Sequence, residues 1–280
     1  MRPITQFLHA TGPWAGRLAR RHWAILPGTV LLAAIFIWPI VKVLQLSFSG
    51  SGNYASLDNS VTIEIIWRTV KISLIVTAVA LIVAVPYAYL AAHVVSPKTG
   101  RWMIIGAASS LFVSIVVRGY AWTALLDRGG VLDKTAQALG MKSIVLVPGF
   151  SGIIIGMSQY AIPLMALPVY SSMLRYDSDL SRAAASLGAS PVITFVRVYT
   201  PHILSGIGAG CATVFTVTLG YYVLPEILGG PSNEMIGAII AQQVQNNVNF
   251  GEASAIGVAL LVVALASFMV IFRATRRDYQ

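Results

Sequence analysis

Charged residues are scarce in this chain of 280 residues. Asp, Glu, Lys and Arg together make up 10% of it, whereas soluble domains carry about a quarter. This shortage of charge excludes a disordered chain and an ordinary cytosolic enzyme. The net charge of +9 comes from too few residues to form the dense basic patch of a nucleic-acid-binding protein, so no nucleic acid is expected as a partner.

Cysteine and the usual catalytic motifs are also lacking. Cys211 is the only cysteine, which excludes an internal disulfide and a cysteine-based metal cluster. The sequence contains neither an HExxH zinc motif nor a glycine-rich phosphate loop with its lysine. We therefore expect no catalytic residue, no metal site and no cofactor on this chain, which is predicted not to be an enzyme.

Apolar residues, in contrast, are abundant, at 56% of the chain. They form six continuous stretches, each long enough for a helix that crosses the membrane, which needs about 20 residues. Inside these stretches only Lys42, Lys71, Arg118 and Glu226 are charged. The sequence therefore predicts an all-α integral membrane protein with six transmembrane helices, at residues 25–48, 70–93, 103–126, 151–174, 203–226 and 253–272.

The basic residues predict the orientation of these spans. With six spans, both termini lie on the same side, and that side collects most of the arginine and lysine outside the spans. Because cytoplasmic segments are enriched in Lys and Arg, we expect both termini to be cytoplasmic. The basic residues on the predicted cytoplasmic side are Arg2, Arg17, Arg20, Arg21, Lys98, Arg101, Arg175, Arg182, Arg197, Arg273, Arg276 and Arg277, and those on the outer side are Arg68, Arg128, Lys134 and Lys142.

The same pattern divides the chain into a membrane domain, 25–273, between two cytoplasmic tails, 1–24 and 274–280. The first span is expected to be retained rather than removed as a signal peptide, because a polar tail precedes it and no small-residue cleavage site follows. Two outer loops contain predicted helices. One covers residues 131–139. The other lies within residues 232–247 and opens with Ser232; its apolar face either rests on the membrane surface, lines an outer vestibule or packs against neighbouring spans, and packing is favoured.

The most informative loop is the cytoplasmic one between the fourth and fifth spans, residues 175–201. Ser178 is predicted to cap a helix that Gly188 ends. Ser190 and Pro191 then form the cap and first position of a second helix. Three consecutive alanines in the first helix leave a narrow surface. A helical hairpin of this kind either joins two spans or fits into the cleft of another protein.

This loop resembles the EAA loop of ABC-importer permeases, whose pattern is Glu-Ala-Ala, three residues, Gly, nine residues, Ile-x-Leu-Pro. Ala183, Ala184, Gly188 and Pro201 match that pattern with the right spacing. Arg182 stands where the family has its glutamate, which reverses the charge. Either the partner carries a compensating acid, or the contact is unimportant in this protein. Val198 and Thr200 replace the isoleucine and leucine.

Three further segments are similar to the spermidine/putrescine subgroup of the same family. They are Arg118–Trp122 in the third span, Ile162–Tyr170 before the loop, and Leu224–Gly230 after the fifth span. The resemblance implies the type I ABC importer permease fold with a cytoplasmic coupling helix. It further implies a coupling loop that docks on an ATPase through Asp179, Arg182, Ala183, Ala184, Gly188, Ala189, Ser190 and Pro191.

The resemblance also implies the partners and the location of the protein. The partners are a second homologous permease, two ATPase subunits that bind ATP and Mg²⁺, an extracytoplasmic solute-binding protein and membrane lipid. The location is the bacterial inner membrane. The expected solute is a polyamine such as spermidine or putrescine. Alternatives are another small solute (an amino-acid-like compound, an opine, an aminophosphonate or iron) or a carrier driven by an ion gradient. Because Arg182 replaces the glutamate of the family, a membrane anchor or assembly subunit without a transport role is a further alternative.

Six residues are candidates for the translocation pathway. Arg118 is expensive to place inside a membrane and normally faces a polar interior. It either lines the pathway or has a structural role, paired with Tyr120 or with a backbone carbonyl, and the structural role is favoured. Glu226 with neighbouring tyrosines is able to bind an ammonium group, although tyrosine is also common at membrane interfaces. The candidates are Arg118, Tyr120, Trp122, Tyr221, Tyr222 and Glu226.

Overall fold

The computed structural model describes residues 14–50 and 52–276, and within these ranges the regular structure is entirely helical. The predicted tails lie largely outside this part, although the first helix already begins at Trp14. The helices are α1 (Trp14–Phe48), α2 (Ser60–Tyr89), α3 (Pro97–Ser109), α4 (Ile115–Leu126), α5 (Val131–Ala138), α6 (Phe150–Leu174), α7 (Ser178–Ser186), α8 (Pro191–Thr194), α9 (Thr200–Leu219), α10 (Val223–Gly229), α11 (Ile236–Gln245) and α12 (Phe250–Arg276).

Short turns of other helix types connect several of these elements. Two are π-helical: the first π turn, Leu90–Val94, follows α2, and the second π turn, Phe195–Tyr199, joins α8 to α9. Three are 3₁₀-helical, at Ala55–Asp58, Ser110–Phe112 and Pro231–Asn233. The end of the bundle that carries α7 is called the α7 end below, and the opposite end is called the α5 end.

Five of the predicted spans are single apolar helices that are long enough to cross a membrane. The third is different, because its two halves, Pro97–Phe112 and Ile115–Ala138, meet at an angle of 98°. The prediction of one continuous helix over 103–126 is therefore wrong in shape. Val113 and Ser114 adopt extended backbone conformations at the break.

The fifth span also differs from its prediction of 203–226. Helix α9 stops at Leu219, and Gly220 forms its C-cap. Tyr221 and Tyr222 lie in the turn that follows, and Glu226 belongs to the separate short helix α10. Pro225 in the first turn of α10 accounts for this division, since proline is tolerated at the start of a helix and not in its interior.

The core lies where α2, α6 and α9 pack together. Along α2 every fourth residue is completely buried, and α6 has a similar stripe, so that the two helices pack through rows of residues spaced four apart. Small residues on α9 allow it to come close to α6: a Cβ atom at Gly206 would collide with the side chain of Ser172. The α2 stripe is Ile72, Val76, Ala80, Ala84 and Ala88, and the α6 stripe is Ile153, Met157, Ala161, Met165 and Val169.

Loops at the α5 end are fixed by buried polar contacts. The Asp133 carboxylate accepts hydrogen bonds from the backbone N–H groups of Gly129 and Ile144 and from the side chains of Gln137 and Ser143. Asp133, in the first turn of α5, thus binds the segment before this helix and the segment after it. These contacts explain why α5 forms where the sequence predicts it.

The second predicted helix of the outer loops, α11, starts at Ile236 rather than near Ser232, because Pro231–Asn233 forms a 3₁₀ turn instead. Its first N–H is donated to Thr69 Oγ1 of α2 at 2.9 Å. Ile236 is buried with Ile65 of α2 and Ile256 of α12. The expectation that this helix packs against neighbouring spans is confirmed.

Candidate functional site

The loop between α6 and α9 is a helical hairpin, as predicted, and its first helix is capped one residue earlier than expected. Asp177 and not Ser178 is the N-cap: its carboxylate accepts the N–H of Asp179 at 2.9 Å. The acid lies at the positive end of the α7 dipole, which favours negative charge. Ser178 becomes the first residue of α7.

Gly188 ends α7 in the way that its position in the sequence predicts. Its φ angle is +85°, in the left-handed region that glycine adopts without steric cost. The Ala189 N–H is donated to the Ala184 carbonyl, and the Gly188 N–H to the Ala185 carbonyl, both at 3.0 Å. This is the Schellman arrangement, which satisfies the last carbonyls of a helix. The turn then passes to Ser190, whose Oγ accepts the Ile193 N–H and caps α8.

Apolar side chains project from this hairpin. Leu187 at the turn is 88% exposed and Val192 on α8 is 72% exposed, while the described residues of α7 include no buried one. Exposed apolar residues that are grouped together often mark an interaction site. The hairpin therefore has the composition of a docking surface.

Arg182, which stands in place of the expected glutamate, is paired within its own helix. Its guanidinium lies 2.5 Å from the Asp179 carboxylate, and both side chains are exposed. Such exposed pairs contribute little to stability, typically about 0.5 kcal/mol. The arginine therefore remains available to a partner, and its charge is partly compensated by Asp179.

The six candidate pathway residues do not form a single site. Arg118 is 5% exposed and donates to the carbonyl of Ser110, across the break between α3 and α4. Its guanidinium also lies 4.9 Å from the ring centre of Tyr160. The partner of Arg118 is therefore a backbone carbonyl and not Tyr120. Tyr120 is 64% exposed and contributes nothing to this contact.

Tyr160 of α6 is a residue that the sequence analysis did not identify. Its ring contacts the buried Tyr221 edge to face at 5.4 Å, in addition to Arg118, so it brings two of the six candidates together. Tyr222 is partly buried and Glu226 is exposed on α10. Nothing in a single sequence distinguishes Tyr160 from the other aromatic residues of the spans.

Trp122, the remaining candidate, lines a groove of about 530 Å³ between α2, α3, α4 and α6. The walls are mainly apolar and include Tyr87, Ser158 and Gln159. Within the described residues, Ser158 Oγ and Gln159 Oε1 are buried without a hydrogen-bond partner. No group of three or more His, Cys, Asp or Glu side chains in that part of the chain is arranged to hold a metal ion.

The sequence profile of the family described as "Binding-protein-dependent transport system inner membrane component" matches residues 73–278. The chain belongs to this family. It is therefore a multi-pass inner-membrane component of a transport system, and its exposed hairpin lies inside the matched region.

Two curated relatives within the family match most of the chain. The spermidine/putrescine transport system permease protein PotB of Haemophilus influenzae is 28% identical over 270 residues, covering 88% of this chain and 93% of that protein. PotB of Escherichia coli K12 is 29% identical over 231 residues, covering 80% of this chain and 82% of that protein.

Solved structures show the same fold. A bacterial ABC transporter for import of the acidic polysaccharide alginate contains a chain that superposes with a TM-score of 0.69 at 19% identity, covering 94% of this chain and 98% of that one. An inward-facing MetNI methionine ABC transporter gives a TM-score of 0.59 at 16% identity, covering 78% of this chain and 95% of that one. The predicted fold, that of an ABC importer permease, is confirmed.

Proposed function

We propose that this chain is a permease subunit of an ATP-driven importer and forms half of the pathway for a polyamine such as spermidine or putrescine. The observation that carries this proposal is the exposed hairpin of α7 and α8, with its glycine turn and apolar surface, in a member of the binding-protein-dependent family. A docked protein that changes shape would displace such a hairpin, and the hairpin would in turn displace the two spans that it connects.

The energy for transport is then supplied by other chains. Two ATPase subunits that bind ATP and Mg²⁺ would dock at the α7 end, which places that end and both termini in the cytoplasm. A second homologous permease would complete the pathway within the lipid bilayer, and an extracytoplasmic binding protein would deliver the solute at the α5 end. One related solved structure, the alginate transporter, is a complex with a ligand-bound periplasmic protein.

The polyamine is supported by the relatives, since the proteins of Haemophilus influenzae and Escherichia coli named above are spermidine/putrescine permeases. The exposed acid Glu226 at the α5 end is compatible with a cationic solute, because a carboxylate attracts ammonium groups. Arg118 contacts Ser110 and Tyr160, and because a cationic solute would be repelled by its charge, we do not assign it as a ligand.

The test combines purification and uptake. We expect a tagged chain, extracted in mild detergent, to retain a P-loop ATPase and a second six-span protein that mass spectrometry identifies. Vesicles with the complete complex and its binding protein should import labelled putrescine or spermidine only when ATP is supplied on the ATPase side. A chain that purifies alone, even after crosslinking in the membrane, would contradict the importer. Uptake driven by an ion gradient without ATP would support the secondary carrier.

A charge-reversal variant tests the docking surface. We expect Arg182→Glu to leave the fold intact, since the exposed pair with Asp179 contributes about 0.5 kcal/mol or less. The amount of ATPase retained on purification should nevertheless fall, because a partner that fits the arginine would now face a like charge. Arg182→Gln, which removes the charge without reversing it, is the matched control and should have a smaller effect. Full retention with both variants would show that docking does not depend on this charge.

A further inference from the structure

Four side chains connect α7 to the ends of the spans. Tyr176, just before α7, shares a hydrogen bond of 2.5 Å with Ser181 of α7. The ring of Tyr176 meets the ring of Tyr199 edge to face at 4.8 Å. The Tyr199 hydroxyl in turn shares a hydrogen bond of 2.8 Å with His93 Nε2. The path therefore leads from the coupling helix to the start of α9 and the end of α2.

His93 and Tyr199 both lie on π turns, the first on Leu90–Val94 and the second on Phe195–Tyr199. A π turn contains one residue more than the α-helix it interrupts, and such turns often occur at functional sites. Tyr89 packs against both residues, with ring centres 5.2 Å from His93 and 6.0 Å from Tyr199. The two irregular helix segments are thus joined to each other by ring contacts and one hydrogen bond.

Packing beside this connection is incomplete. A cavity of about 640 Å³ separates α7 from the ends of α2 and α6, and the small residues Ala185 and Ala189 line its α7 side. Tyr89, Tyr176 and Tyr199 line the same cavity, so the hydrogen bond of Tyr176 to Ser181 joins α7 to the aromatic side of this space. Tyr199, at the centre of the connection, is only 5% exposed.

We propose that Tyr89, His93, Tyr176, Ser181 and Tyr199, here named the clasp, pass displacement of α7 to α2 and α9 so that these two spans move together. The proposal rests on the proposed function, since it requires an ATPase that displaces α7. His93 and Tyr199 are positioning residues: they touch neither the solute nor ATP, and their hydrogen bond keeps the two π turns in register.

Tyr199→Phe tests the clasp, since it deletes the shared hydroxyl and keeps the ring. In the complete complex, with Cys211 replaced by serine, spin labels at Val94 and Ser186 report the separation of α2 and α7. With a non-hydrolysable ATP analogue bound, we expect a narrow distribution of distances between the two labels in the parent protein, because the clasp keeps α2 and α7 together. In Tyr199→Phe we expect that distribution to be broader. Tyr170→Phe is the control, because it removes the same hydroxyl from a tyrosine of α6 that is not part of the clasp.

The second readout is the ratio of putrescine imported to ATP hydrolysed in vesicles. We expect Tyr199→Phe to lower this ratio about fivefold or more, the lower end of the coupling found between linked sites, while ATP hydrolysis continues. Identical label distances and ratios in Tyr199→Phe and Tyr170→Phe would overturn the clasp. A parent complex that neither hydrolyses ATP nor imports putrescine would instead contradict the proposed function.

Discussion

Replacement of Gly188 by leucine is expected to abolish the stimulation of ATP hydrolysis by the solute-loaded binding protein. Nothing in the chain lies within 4 Å of a Cβ atom at this position, so the new side chain meets no neighbour in the free permease. It would instead project from the turn of the hairpin, between the exposed Leu187 and α8, where the ATPase is proposed to dock. Loss of a contact worth about 1.4 kcal/mol lowers an affinity tenfold. We expect the affinity of the permease for the ATPase to fall by at least this factor.

The backbone effect of this change needs its own control, because leucine at a positive φ is strained by about 1–2 kcal/mol. Gly140 provides a close match: it also follows a short helix, its φ is +74°, and a Cβ atom there would likewise meet nothing within 4 Å. It lies at the α5 end, away from the proposed docking surface. We expect Gly140→Leu to keep ATPase stimulation. Equal loss in both variants would attribute the effect to strain and remove the support for docking.

Gly206→Leu is expected to destabilise the helix bundle itself. A Cβ atom at this position would contact the Pro168 carbonyl oxygen at 2.7 Å and would also collide with Ser172. The leucine must therefore push α9 away from α6 at the centre of the core. Overpacking of this kind costs about 1–3 kcal/mol and should lower the melting temperature in detergent by about 5 °C or more.

The control for Gly206 is Gly257 in α12, another helical glycine, where a Cβ atom meets nothing within 4 Å. Size-exclusion chromatography of heated samples, monitored by the fluorescence of a fused reporter, measures both variants under the same conditions. We expect Gly257→Leu to melt within about 2 °C of the parent protein, since no backbone or core atom must move. A Gly206→Leu variant as stable as Gly257→Leu would contradict the close α6–α9 packing.

The features predicted best from the sequence are those that follow from local chemistry. The fourth span, predicted at 151–174, is α6 at Phe150–Leu174, because a long apolar run between polar loops has only one helical placement. Gly188 and Pro191 fall where a left-handed glycine and a first-position proline are expected. The sequence therefore predicts the register of the hairpin to within one residue, and the N-cap, at Asp177 instead of Ser178, accounts for that difference.

The break in the third span was not predictable in this way. Local rules place sharp bends at proline or glycine, and residues 112–115 contain neither. The contact that spans the bend is a tertiary one: the Arg118 guanidinium donates to the Ser110 carbonyl on the other side of the break. Hydropathy identifies a span from its composition and carries no information on such a contact.

The candidate pathway residues illustrate a second limit. The residue types and the family resemblance identify them, and neither gives the direction in which a helix turns each side chain. Tyr120 and Trp122 are neighbours on α4, yet the first is exposed and the second lines a groove. The contact of His93 with Tyr199 joins residues 106 positions apart. Pairings of that length depend on the packed bundle and not on local sequence.

Helix α1 has a consequence for the order in which the protein assembles. The most apolar stretch of its span contains no buried residue, and α1 packs mainly along α12. Because synthesis proceeds from the N-terminus, α1 is made before α12, and all of α2 to α11 is made between the two helices. The main core contains no described residue of α1, so we expect removal of α1 to uncover α12 and to leave that core in place.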